Sequence, residues 1–123
     1  YKRQALALVA TGFGYEADRR AAQAELLTKL LPNVRDIRRI GAAALDLCRV
    51  AEGTVDAYFE HGINAWDFAA GAIIAREAGA VVRHPGFDKG SADGELTWAA
   101  GADLAPAFEK LLAAHRATDA LRG

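Results

Sequence analysis

One carboxylate, Asp67, stands at the mouth of an otherwise apolar stretch, Trp66-Asp67-Phe68-Ala69-Ala70-Gly71, which runs on through Ile73 and Ile74 to Glu77-Ala78-Gly79. Apolar side chains cover nearly every face of the helix this predicts, and such a helix is expected to be buried. A buried carboxylate must be paired, hydrogen-bonded or bound to a metal. A helix cap would also account for it: with Asn64 as N-cap residue, Asp67 takes the third helical position of a capping box, where the helix dipole favours negative charge. Seven positions earlier Glu60 ends a predicted strand, so both carboxylates are expected at the carboxyl edge of a sheet, where open α/β folds place their ligands. A solvent-facing strand-end glutamate is the alternative for Glu60.

Arg38-Arg39-Ile40-Gly41-Ala42-Ala43-Ala44 puts a glycine and small residues at a helix start, where backbone N–H groups without helical partners can meet a phosphate or hydroxyl oxygen. Close helix packing would use the same residues. Thr11-Gly12-Phe13-Gly14 lacks the lysine and the length of a P-loop and reads as a turn ending a strand. Arg19, Arg20, Arg35 and Arg49 read as solvated or ion-paired surface residues. His61, His84 and His115 have no zinc-ligand spacing, and no Ser/His/Asp or Cys/His arrangement is present. Metal chemistry here would need hard oxygen ligands, which suit magnesium.

The elements that must position these groups follow from periodicity. Gln4 to Ala10 reads as a buried strand, Ala17 to Leu31 as a helix closed by Pro32-Asn33, and Val34 to Ile37 as a brief strand. A second helix runs from Gly41 to about Glu52 and stops at Gly53. Thr54 to Glu60 alternates, with Val55, Ala57 and Phe59 on one side and Asp56, Tyr58 and Glu60 on the other. His61-Gly62-Ile63 turns into the Asp67 helix. Ala80 to Arg83 and Leu96 to Ala100 are short strands around a Gly- and Asp-rich loop, and Leu104 to Leu121 forms a last helix. Strands alternating with helices predict an α/β layered sandwich, a largely parallel or mixed sheet flanked by helices.

The chain has 123 residues, 52% of them hydrophobic and 25% charged, the dimensions of one domain with an ordinary core. Nine basic and five acidic residues occur up to Val50, then six basic and eleven acidic, for a net charge of −1. No basic stripe results, so direct nucleic-acid binding is not expected. The lone Cys48 is expected to be a small core residue of a protein kept in a reducing, cytoplasmic setting, and no run is long and apolar enough to span a bilayer. The sequence lacks methionine and opens Tyr1-Lys2-Arg3, from which a longer parent protein is expected.

Taken in order, Arg38 to Asp46, Gly53-Thr54-Val55-Asp56-Ala57-Tyr58-Phe59-Glu60, and Trp66 to Gly71 with Glu77-Ala78-Gly79 strongly resemble the C-terminal half of inositol monophosphatases, bacterial members above all. The likeness spans about Leu6 to Gly79. It implies the C-terminal domain of that fold over residues 1–123, with an N-terminal metal-binding domain not included in this chain. It further implies a magnesium-dependent phosphomonoesterase, Mg2+ activating water and stabilising charge on the phosphate. By resemblance Asp67 is the aspartate that ligates the second metal near the leaving-group oxygen, and so both the catalytic and the metal residue. Glu60 hydrogen-bonds substrate hydroxyls, and Gly41, Ala42 and Ala43 contact substrate through backbone N–H groups. Arg38 matches an arginine near the family's subunit interface, and a homodimer is implied.

The family's first metal site, an upstream glutamate and an Asp-Pro-hydrophobic-Asp-Gly-Thr stretch, has no counterpart here, so these residues alone are expected to be inactive. Ala42 also replaces a serine or threonine frequent at its position. Other substrates of the same fold, such as fructose bisphosphate, histidinol phosphate or a nucleotide 3′-phosphate, stay open beside inositol monophosphate. So does a non-catalytic role as an interaction module for RNA-associated proteins.

Overall fold

The computed structural model describes residues 4–121; Tyr1-Lys2-Arg3, from which the longer parent is expected, lie outside the described residues. Five strands, β1 (Leu8–Thr11), β2 (Asp36–Arg38), β3 (Ala57–His61), β4 (Val81–Arg83) and β5 (Leu96–Ala100), form one sheet in the order β2-β1-β3-β5-β4. β1 pairs in parallel with both β2 and β3, whereas β5 runs antiparallel to β3 and β4. This is the mixed sheet expected. Four α-helices cover it: α1 (Ala17–Leu30), α2 (Ala43–Glu52), α3 (Ala65–Glu77) and α4 (Ala105–Ala114).

Strand alternation divides the interior into two cores. Val9, Ala57, Phe59, Trp98 and Ala100 pack on one face with Leu26 and Leu30 of α1 and Phe108 and Leu112 of α4. Ala10, Tyr58 and Ala99 pack on the other with Leu47 and Val50 of α2 and Phe68 and Ala72 of α3. Three layers follow, with α1 and α4 on one side and α2 and α3 on the other. Tyr58 and Glu60, two apart on β3, therefore share the α2/α3 face.

Several boundaries differ from the sequence expectation. Gln4–Leu6 is a 3-10 turn with Leu6 exposed, because pairing with β2 begins only at Leu8 opposite Asp36. β3 starts at Ala57, and Val55, in the turn before it, joins Tyr58's core instead of the one holding Ala57 and Phe59. The last helix ends at Ala114. Arg116 takes φ of 59°, and Ala117 and Arg116 donate their N–H groups to Leu112 O and Ala113 O, the Schellman closure with arginine in the position usually left to glycine. Gly53 ends α2 in the expected way, at φ of 81°.

Helix α3 is not buried all round. Phe68, Gly71, Ala72 and Ala75 are buried, yet Trp66 is 80% and Ile73 61% exposed, because α2 and the sheet cover only one of its sides. Cys48 is half-buried, at the edge of the core and not within it. Among the described residues no helix is long and apolar enough to cross a membrane.

Candidate active site

β1, β2 and β3 all point the same way, and the chain leaves β1 toward β2 on one side before crossing to β3 on the other. That reversal opens a crevice beyond their carboxyl ends. A cleft of about 550 Å³ lies there, walled by the turn after β1 (Gly12 to Glu16), by the turn after β2 with the start of α2 (Arg39 to Ala44), and by Glu60 to Asp67. All five residues expected in the site, Gly41, Ala42, Ala43, Glu60 and Asp67, line it. Arg38 does not; it lies exposed on the edge strand, paired with Asp36 at 2.9 Å. That ion pair, with Ile37 N–H, holds the Asp36 carboxyl below its ordinary range.

Asp67 is half-buried in the first turn of α3, and its Oδ2 accepts the Asn64 N–H at 2.9 Å. The capping role is thus real, and it fixes the direction of the side chain. Asn64 Oδ1 in turn accepts the Ser91 N–H at 2.8 Å, drawing the loop before β5 to the cleft rim. α2 begins one residue after Ala42, whose side chain cannot cap, and Gly41 precedes it at φ of 98°. The first N–H groups of α2 consequently face the cleft with no side-chain cap, the local setting for binding an oxyanion.

Glu60 is half-buried, and Tyr58 donates its hydroxyl to Glu60 Oε1 at 2.8 Å. Burial pushes the Glu60 carboxyl above its ordinary range; the Tyr58 hydrogen bond opposes that and the nearby Asp67 charge adds to it. Asp46, in the first turn of α2, is 1% exposed and lines the same cleft. Burial first, and the Glu60 charge second, push its carboxyl to about 7, with the Arg39 guanidinium acting in the opposite sense. Its Oδ1 has no hydrogen-bond partner among the described residues.

Arg19 differs from the expectation of a surface arginine. It is 6% exposed, donates Nε–H to Leu121 O at 2.7 Å, and packs so close to Gly62 that a Cβ there would run into the guanidinium. His61 is buried as well, with Nε2 2.6 Å from Ala117 O, and burial lowers its affinity for a proton. Phe13 lies under both Arg39 and Arg20, whose guanidinium carbons stand 5.8 and 6.0 Å from its ring centre. Asp46, Arg19 and Arg39 line the cleft although the sequence assigned them no role in the site, and Tyr58, outside the lining, bonds Glu60; Asp46, Arg39 and Tyr58 stand within motifs whose spacing could have flagged them, and Arg19 does not.

As a magnesium ligand Asp67 fits by chemistry, being a hard oxygen donor at the cleft wall. No group of three or more His, Cys, Asp or Glu side chains able to hold a metal comes together among the described residues. One carboxylate holds magnesium weakly, because the ion gives up its waters reluctantly.

Comparison with known proteins agrees with this fold. An inositol-1-monophosphatase of Mycobacterium leprae is 64% identical over 80 residues, covering 65% of this chain and 28% of that protein. A protein of Pasteurella multocida named Nus factor SuhB is 49% identical over 76 residues, covering 61% of this chain and 28% of that protein. Among solved structures, Mycobacterium tuberculosis SuhB superposes with a TM-score of 0.84 at 46% identity, covering 95% of this chain and 45% of that one. An Anabaena inositol monophosphatase gives 0.75 at 30% identity, covering 91% and 45%. The chain thus spans less than a third of these relatives' length and under half of the solved chains. The family model for inositol monophosphatases matches residues 3–120, and the chain belongs to the inositol monophosphatase family.

Proposed function

We propose that this chain supplies the leaving-group side of a magnesium-dependent phosphatase that hydrolyses inositol monophosphate to inositol and phosphate. The observation that carries this reading is the convergence of Asp67, Glu60 and the uncapped start of α2 on one cleft at the carboxyl edge of the sheet. Asp67 is the one metal ligand assigned to these residues, its direction set by the Asn64 N–H. Bound Mg2+ would supply water activation and neutralise charge on the phosphate. Glu60 accepts hydrogen bonds from hydroxyls of the leaving group. Backbone N–H groups from Gly41 to Ala43 meet substrate oxygens, which restrains the polyol against the cleft wall. The remaining metal ligands come from an N-terminal domain outside these residues, and the site works in a homodimeric, cytoplasmic enzyme.

Glu60 favours a polyol over the fold's other substrates. Comparing hydrolysis of inositol monophosphate, fructose bisphosphate, histidinol phosphate and a nucleotide 3′-phosphate by the full gene product tests this. The largest kcat/KM is expected for inositol monophosphate, since a site built around hydroxyl hydrogen bonds penalises analogues that lack them. Equal rates on all four, or a preference for the nucleotide, would overturn the substrate assignment.

The relatives named Nus factor favour a second reading, an interaction module for RNA-associated proteins. Arg38, exposed on the edge strand, is its candidate contact. Loss of captured RNA-associated proteins on Arg38→Ala with phosphatase rate retained would support that role; capture unaltered by the substitution would remove Arg38 from it.

A further inference from the structure

Two groups that play no part in the proposed chemistry hold the Glu60 carboxylate in place. Tyr58 is fully buried on the α2/α3 face of β3, and its hydroxyl donates to Glu60 Oε1 at 2.8 Å. Gly12, the first residue beyond β1, lies against the same carboxylate: a Cβ added there would stand 2.5 Å from Oε1, 2.7 Å from Cδ and 2.8 Å from Oε2. Gly12 is not among the residues of positive φ, so its backbone does not call for glycine. The carboxylate does. The two strand ends form one frame, because Phe59 pairs with Thr11 in the β1–β3 ladder and Thr11 Oγ1 donates to Phe59 O at 2.7 Å.

We propose that Tyr58 and Gly12 are positioning residues that aim the Glu60 carboxylate at the leaving group, and so set the preference of the site for a hydroxyl-bearing, polyol phosphomonoester. The inference rests on the reading of Glu60 as the hydroxyl-binding group. With Oε1 engaged by Tyr58, Oε2 is the principal acceptor for a substrate hydroxyl. Its direction follows from where the buried phenol and the bare Gly12 backbone let the carboxylate lie. A directed acceptor discriminates more sharply than a mobile one, because less ordering is left to be done on binding.

The clash at Gly12 falls on the far end of a flexible side chain. Gly12→Ala can therefore be accommodated by turning the carboxylate, which preserves the fold while spoiling the aim. Tyr58→Phe removes only the hydroxyl and keeps the ring that fills the core.

The test measures kcat and KM for inositol monophosphate and for phenyl phosphate, whose leaving group has no further hydroxyls, on the full gene product. The variants are Tyr58→Phe, Gly12→Ala, Glu60→Gln and the two double variants with Glu60→Gln. Glu60→Gln is expected to lower the preference for inositol monophosphate about tenfold or more, the scale of a hydrogen bond to a charged group. Tyr58→Phe and Gly12→Ala are each expected to lower it roughly three- to tenfold through KM and not kcat, and to add nothing in the Glu60→Gln background. If Glu60→Gln lowers the preference while Tyr58→Phe and Gly12→Ala leave it within about twofold, or lower it equally in the Glu60→Gln background, the positioning inference is overturned. If Glu60→Gln itself leaves the preference unchanged, the reading of Glu60 fails first and the inference falls with it.

Discussion

Asp46 shows how far a single side chain can depart from what its place in the sequence suggests. In the first turn of α2 an aspartate looks like a solvated, dipole-favoured group. Here it is buried beside Glu60, with its carboxyl raised from 3.8 to about 7. The unfolded chain therefore releases this proton first, and stability falls as pH rises from about 4 to about 7, the reverse of a salt-bridged carboxylate. Asp46→Asn is expected to be near neutral at pH 4 and to stabilise by on the order of 2 kcal/mol at pH 8. Denaturant unfolding at the two pH values checks this, and a difference independent of pH would show that Asp46 is ionised in the fold. Glu60, Asp67 and Gly41 to Ala43 were legible in the sequence because strand ends and helix starts are local signals. Asp46, Arg19 and Gly12 were not, because their roles depend on contacts between segments far apart in the chain. Tyr58 reached its face by alternation along β3, but the direction of its hydroxyl toward Glu60 is set by the packing of α2 and α3 around the ring.

At the scale of elements, the site depends on α2 and α3 packing closely enough to bring their N-termini to one cleft. Gly71 permits this: a Cβ there would lie 2.8 Å from Leu47 Cβ and 2.9 Å from its Cδ1. Gly71→Ala gains about 1 kcal/mol of helix propensity, but the overpacking it causes costs roughly 1–3 kcal/mol. A net loss of stability is expected, read as a lowered thermal midpoint, because the nearest atom met is the Leu47 Cβ, which no change of rotamer can move. An unchanged or raised midpoint would mean that the two helices separate at little cost. Periodicity located all five strands and four helices, and misplaced ends where tertiary pairing decides them. β1 starts late because its neighbour does, and α4 stops early because Arg116 adopts a left-handed conformation that no residue type there announces.

For the molecule as a whole, the run from Trp66 to Ile74 is apolar enough to suggest burial, yet much of it faces outward. Trp66, Ile73, Ile74, Leu45 and Phe87 are all exposed. Apolar surface of this kind is ordinarily covered by another domain or subunit, which agrees with relatives two to three times as long as this chain. The chain alone is expected to self-associate at micromolar concentration, and Ile73→Asp with Trp66→Ser to suppress that in sedimentation; a monomer without the substitutions would contradict it. Layer order and the placement of the cleft were legible because alternating strands and helices admit few arrangements. What covers α3 was not, because an apolar face looks the same whichever surface it meets. The most direct test of the central claim is Mg2+-dependent hydrolysis of inositol monophosphate by the full gene product, with and without Asp67→Asn. A ligand to a metal that stabilises the transition state by several kcal/mol predicts at least a hundredfold fall in kcat/KM for Asp67→Asn. Turnover within about threefold of the parent at saturating Mg2+ would show that Asp67 only caps its helix.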